Sequence, residues 1–184
     1  MQRDLVERAM AGDHDAFTEL ARVKVGRLFV IARLILRDEA AADDATQEAM
    51  VAAWRSIRGL RDPERFDAWL HRLLVNACHR EAARGQRRKA IEVHVSTLEA
   101  PEPDPNRGLF DRDGLERGFR RLDTGQRAVL VLHHYAGMPL DDVARALGVP
   151  PGTVRSRLHR ATQAMRAALE ADARLPVTEG RRLA

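Results

Sequence analysis

The sequence predicts an all-α protein: two small helical domains joined by a flexible linker, the C-terminal one a helix-turn-helix. Three observations predict this. Apolar residues recur at helical spacing through most of the 184 residues, and no strand-like alternation of any length appears. Pro101, Pro103 and Pro105, with acids between them, interrupt that pattern with residues that block helix and discourage burial. Pro139–Arg160, PLDDVARALGVPPGTVRSRLHR, reads as two short helices around a tight turn. The expected division is therefore residues 1–90, a linker over 91–112, a second domain over 113–174, and a frayed tail over 175–184.

In the first domain Asp4–Ala11 is a short helix ended by Gly12. Asp13 caps a second helix, to about Leu36, with Phe17, Leu20, Ala21, Leu28, Ile31, Ala32 and Ile35 on one face. Asp38 caps a third, to about Ile57. Gly59 and Asp62-Pro63 break the chain, and a fourth helix runs from about Pro63 to Arg84, burying Phe66, Trp69, Leu70, Leu73 and Ala77. After the linker, Leu115, Phe119 and Leu122 share a face, and Asp123 with Gln126 forms a capping-box start to a helix through His134. Leu140, Val143, Ala144 and Leu147 then make one stripe. Gly148 stands where a helix ends in a left-handed residue, and Pro151 opens the next helix, where a missing N–H costs nothing.

Composition narrows the function. Lys and Arg exceed Asp and Glu by four, a modest surplus whose distribution matters more than its total. Arg80, Arg84, Arg87, Arg88 and Lys89 cluster against Glu81, whereas Ala100–Asp104 holds two acids and no bases. A single cysteine excludes an intrachain disulfide and fits a reducing cytoplasm. The N-terminus lacks a signal-peptide core. The best apolar run, Val25–Leu36, carries Arg27 and Arg33, so no membrane insertion is expected. There is no Cys-x-x-Cys, no phosphate-cradling glycine loop and no nucleophile elbow. No metal, cofactor or catalytic residue is expected.

Three constellations remain. The outer face of the last helix carries Thr153, Arg155, Ser156, His159 and Arg160, and arginine there can meet phosphate or the major-groove edge of guanine. Arg72, Asn76, Arg80 and Arg84 fall at four-residue spacing on the fourth helix, a basic stripe suited to a nucleic-acid backbone and one unstacked base. Asp44, Gln47, Glu48, Val51 and Arg55 share a face of the third helix, opposite Ala42, Ala45, Ala49, Ala52 and Ala53. The acids there either favour the helix dipole or form a docking surface for a basic partner, and spacing weighs the two equally. Trp54 and Trp69 fall on apolar spacing and are expected in the core.

These stretches, in this order, resemble bacterial sigma factors. Asp43–Trp54, DDATQEAMVAAW, is similar to their region-2 helix. Phe66–Ala77, FDAWLHRLLVNA, with the arginines after it, resembles the adjoining promoter-melting helix, and Leu122–Ala161 resembles region 4. With only these two regions the chain looks like the extracytoplasmic-function (ECF) type. The resemblance implies that Asp44, Gln47 and Glu48 bind core RNA polymerase. It implies that Arg72, Asn76, Arg80 and Arg84, with the loop Arg58–Arg65, recognise and open the −10 element. Thr153, Arg155, Ser156, His159 and Arg160 would read −35 promoter DNA. An anti-sigma factor is an implied partner. Ala45-Thr46 stands where the family often has Leu-Val, and Pro150 where many members carry a capping Ser. A stand-alone helix-turn-helix transcriptional regulator is the competing reading. It explains the last helices equally well, but neither the basic row nor the acidic helix.

Overall fold

A computed structural model describes residues 2–92 and 113–173. The linker lies outside the described residues except for residues 91 and 92, which continue a helix, and the tail over 175–184 lies wholly outside. The described chain is helical throughout: α1 (Gln2–Met10), α2 (His14–Leu36), α3 (Glu39–Ser56), α4 (Phe66–Glu92), α5 (Asp113–Arg121), α6 (Thr124–Leu130), α7 (Leu140–Leu147) and α8 (Pro151–Ala173). Two 3₁₀ turns, Ile57–Gly59 and Pro63–Arg65, connect α3 to α4, and a π turn, Val131–Tyr135, follows α6.

Side chains cap the N-termini of α2, α3 and α6. Asp13 accepts from the amides of Asp15 at 2.9 Å and Ala16 at 3.0 Å, while Arg8 reaches its other oxygen at 2.7 Å. Asp38 accepts from the Ala41 amide at 2.8 Å. Asp123 and Gln126 close the expected capping box, with amide contacts of 2.7 and 3.0 Å. α2 ends at Arg37, which takes a left-handed φ of 61° without being glycine.

The first region packs α2, α3 and α4 around Leu28, Ile31, Ile35, Phe66, Leu70, Leu74 and Val75. The face α3 turns inward is Ala42, Ala45, Ala49 and Ala53, all fully buried, and such small side chains let helices approach closely. Thr46 is buried among them, and its hydroxyl donates to the Ala42 carbonyl at 2.7 Å. α4 begins after a 3₁₀ turn and runs further than expected, because nothing between Arg84 and Glu92 stops a helix.

The second region is not isolated from the first. Ala128, Val129, Val131, Leu132, Met138, Val143, Ala144, Ala146 and Val154 belong to the same continuous apolar core, with α7 lying on α4. A smaller core of Leu122, Ala161 and Met165 ties α5 and α6 to α8. Polar contacts cross the same seam. Arg127 donates to the Ile35 carbonyl at the end of α2 and, at 2.7 Å, to that of Leu122. Arg37 pairs with Glu116, and Arg65 lies 3.5 Å from Asp142. Burial, with Arg37 beside it, lowers the Arg127 pKa.

His71 is buried on α4, and its Nδ1 has no hydrogen-bond partner. Burial pushes its pKa down from 6.5 to about 4; Asp67 pulls it up, and Arg27 and Lys24 push it down. The unfolded chain therefore takes up this proton first as pH falls, so stability is full above pH 6.5 and declines toward pH 4. Acidification from pH 7 to 5 should remove about 2 kcal/mol through this group. Urea unfolding of the wild type and of His71→Leu at both pH values measures it. The variant should lose that part of the pH dependence, and equal losses in both would reject the assignment.

Candidate nucleic-acid interface

The helix-turn-helix forms as its turn chemistry dictates. α7 ends at Gly148, φ 64°, whose amide donates back to Ala144, and Val149 repeats the bond to Ala144 at 3.1 Å. Pro150 brings no side-chain cap. Its carbonyl instead accepts from the amides of Thr153 at 2.9 Å and Val154 at 3.3 Å, and Pro151 supplies no N–H to satisfy. Val154 and Ala161 are fully buried and Leu158 half-buried, so the opposite side of α8 faces out. There Arg155, Ser156, His159 and Arg160 are exposed and Thr153 is half-exposed. Ser156 donates to the Thr153 carbonyl at 3.0 Å, which steadies the middle of this face. Arg157, between them, turns away, and its guanidinium lies beside Gly125. Partial burial of the imidazole lowers the pKa of His79 on α4, and the Arg157 charge lowers it further.

The row on α4 divides in two. Arg72 and Asn76 are exposed, and neither pairs with a described residue. Arg80 and Arg84 reach across the seam to α3: Arg80 Nε donates to Glu48 Oε1 at 2.9 Å, and Arg84 Nη1 lies 3.9 Å from Glu48 Oε2. Arg84 also pairs with Glu81, whose side chain is only 5% exposed. Arg84 thus neutralises a buried carboxylate as well as facing outward.

The polar face of α3 divides as well. Asp44 and Gln47 are exposed, Gln47 donating to Asp43 at 2.7 Å, while Glu48 is half-buried and turned toward α4. Val51 and Trp54 continue the exposed face. Trp54 was expected in the core; it is 37% exposed and leans on Phe17 and His14, with ring centroids 4.9 and 4.6 Å away. Apolar spacing placed it on the edge of the buried stripe, and the neighbouring alanines leave that edge shallow. Trp69 is half-buried against the core, as expected. Before α4, buried Leu60 anchors the arginine-rich loop, and Asp62 caps the 3₁₀ turn by accepting from Glu64 at 3.0 Å.

Family models for Sigma-70 region 2 and Sigma-70 region 4 match residues 23–88 and 112–165. The chain is 37% identical over 158 residues to the ECF RNA polymerase sigma factor SigM of Mycobacterium tuberculosis, covering 86% of this chain and 79% of the relative. The chain belongs to the ECF family of RNA polymerase sigma factors. A second relative, the RNA polymerase sigma-H factor of Pseudomonas aeruginosa, is 30% identical and covers 91% of this chain and 93% of its own length. Among solved structures, CnrH in complex with the cytosolic domain of CnrY matches with a TM-score of 0.64 at 30% identity, covering 93% of this sigma factor and 98% of that chain. The region-2 match spans most of α2 through most of α4 and the region-4 match α5 through most of α8, and the basic row and the polar α3 face both fall within region 2. No helix among the described residues is long and apolar enough to cross a membrane.

The two kinds of arginine on α4 should differ in stability. Arg84→Ala strands the buried Glu81 carboxylate and should cost about 1–3 kcal/mol. Arg72→Ala removes an exposed side chain with no partner among the described residues and should stay within about 0.5 kcal/mol of wild type. Chemical denaturation of both variants measures the difference, and equal costs would contradict the pairing.

Proposed function

We propose that this sigma factor holds core RNA polymerase through Asp44, Gln47 and Glu48 on α3, with Val51 and Trp54 extending the contact. Its second region reads −35 DNA through Thr153, Arg155, Ser156, His159 and Arg160. Its first region recognises and opens −10 DNA through Arg72, Asn76, Arg80 and Arg84 with the loop before α4. The domain division is that drawn from the sequence, with region 2 over 1–90 and region 4 over 113–174. The protein performs no covalent chemistry, takes no cofactor and works in the cytoplasm. An anti-sigma factor is proposed as a further partner; the relative CnrH was solved in complex with the cytosolic domain of CnrY.

The observation that carries this reading is the presence in one chain of two separate exposed basic faces, each within a matched sigma region, beside a polar face on α3. Energetics support a division of labour. Opening a duplex costs about 1–2 kcal/mol per base-pair step, too much over several steps for so small a domain alone. Held on polymerase, the two DNA contacts act at high effective concentration on one duplex. Asn76 offers both donor and acceptor to an unstacked base edge, while the arginines track phosphate.

A mobility-shift titration of a cognate promoter, with and without core polymerase, tests this. Binding should be weak for the free protein and tight with polymerase, and equally tight specific binding in both would reject it. With polymerase, Arg155→Ala and Arg160→Ala should each weaken the complex by about 1–3 kcal/mol where the side chain reads a base. Unchanged affinity in both would misplace the −35 face.

A further inference from the structure

An ion-pair quartet occupies the seam of α3 and α4. Glu48 and Glu81 face Arg80 and Arg84, two acids against two bases, so this half of the basic row carries no net charge. The bond from Arg80 uses the Nε edge of the guanidinium, the edge that a side-on bidentate phosphate contact would use. Glu48 Oε2 is buried and has no hydrogen bond of its own; Arg84, 3.9 Å away, is the cation that faces it. A guanidinium already neutralised by a carboxylate releases fewer counterions on meeting DNA and benefits correspondingly less.

We propose that Glu48 is a built-in mask. In the free protein its carboxylate occupies Arg80 and weakens the hold of that guanidinium on a nucleic-acid backbone, while Arg84 is held by Glu81. A partner that takes the polar face of α3 draws Glu48 away and unmasks Arg80. This rests on the reading of that face as the polymerase-docking surface, and it names a regulation of the same site. The mask couples docking to DNA affinity through one carboxylate shared between the two surfaces. Arg72 and Asn76, which carry no such partner, stay available throughout.

Glu48→Gln tests the mask in the full-length protein without polymerase, because glutamine keeps the shape and loses the charge. The probe is fluorescently labelled single-stranded DNA of mixed sequence, followed by anisotropy across a salt series. Affinity at low salt should rise about 3- to 10-fold, and the slope of log K against log salt should steepen by about 0.7 for each additional phosphate neutralised. Arg80→Gln added to Glu48→Gln should remove the increase. Glu19→Gln, which changes the net charge equally and frees Arg22 on α2, should change affinity less than about 2-fold, since a charge away from the site is screened. In case Glu48→Gln does not fold, single substitutions report the same thing: Arg72→Gln should lower wild-type affinity at least about 3-fold more than Arg80→Gln, which is already masked. No increase for Glu48→Gln, an equal increase for Glu19→Gln, or an Arg80→Gln loss as large as that of Arg72→Gln would each overturn the proposal. Capture of core polymerase by the wild type is scored separately. If capture fails while Glu48→Gln still binds DNA more tightly, the docking reading falls and the mask stands.

Discussion

Helix α4 is the constraint on which the rest of the structure depends. Its period of 3.6 residues has to serve three neighbours at once. Leu70, Leu74, Ala77 and Cys78 build the core of the first region; the Cys78 thiol is so enclosed that burial pushes its pKa up to about 12. α7 of the second region packs on the same helix. What is left over, Arg72, Asn76, Arg80 and Arg84, is the outward stripe. The polar groups are placed by this division of the surface: Glu81 lands on a buried side and needs Arg84, while Arg80 lands at the edge and meets Glu48.

Sharing one helix also explains why the two regions pack together. An amphipathic unit as small as residues 113–173 buries limited apolar surface on its own. Laying Val143, Ala144 and Ala146 against the first region extends one core instead of building two. Arg127 adds a polar tie by satisfying a carbonyl at the end of α2, where a helix has no internal partner to offer. Arg155, Ser156, His159 and Arg160 on α8, and Arg72 and Asn76 on α4, nevertheless remain open to solvent in this arrangement.

Local signals in the sequence were enough for the helices and for the ends that a capping side chain or glycine marks, though not for the end of α4. Asp13, Asp38, Asp123 with Gln126, and Gly148 act through bonds spanning a few residues, so their pattern is visible in the chain itself. The stripes of α2 and α8 were legible for the same reason. Contacts between elements were not. Glu48 and Arg80 lie 32 positions apart, and spacing within either helix says nothing of the other. The same holds for Arg127 and Ile35, and for the shared core. Trp54 misled because helical spacing gives a direction but not a depth. The π turn at Val131–Tyr135 carries the pattern of plain helix, since apolar periodicity barely separates the two over five residues.

The chain thus joins two exposed basic faces and a polar α3 face through a single helix scaffold, and on the proposed function its activity is the sum of contacts made in a complex. In vitro transcription with core polymerase on a fragmented genomic library tests that claim most directly. The account predicts new transcripts that require this protein and start downstream of a shared two-block promoter motif. Transcripts identical with and without the protein, or protein-dependent starts with no common upstream motif, would contradict it.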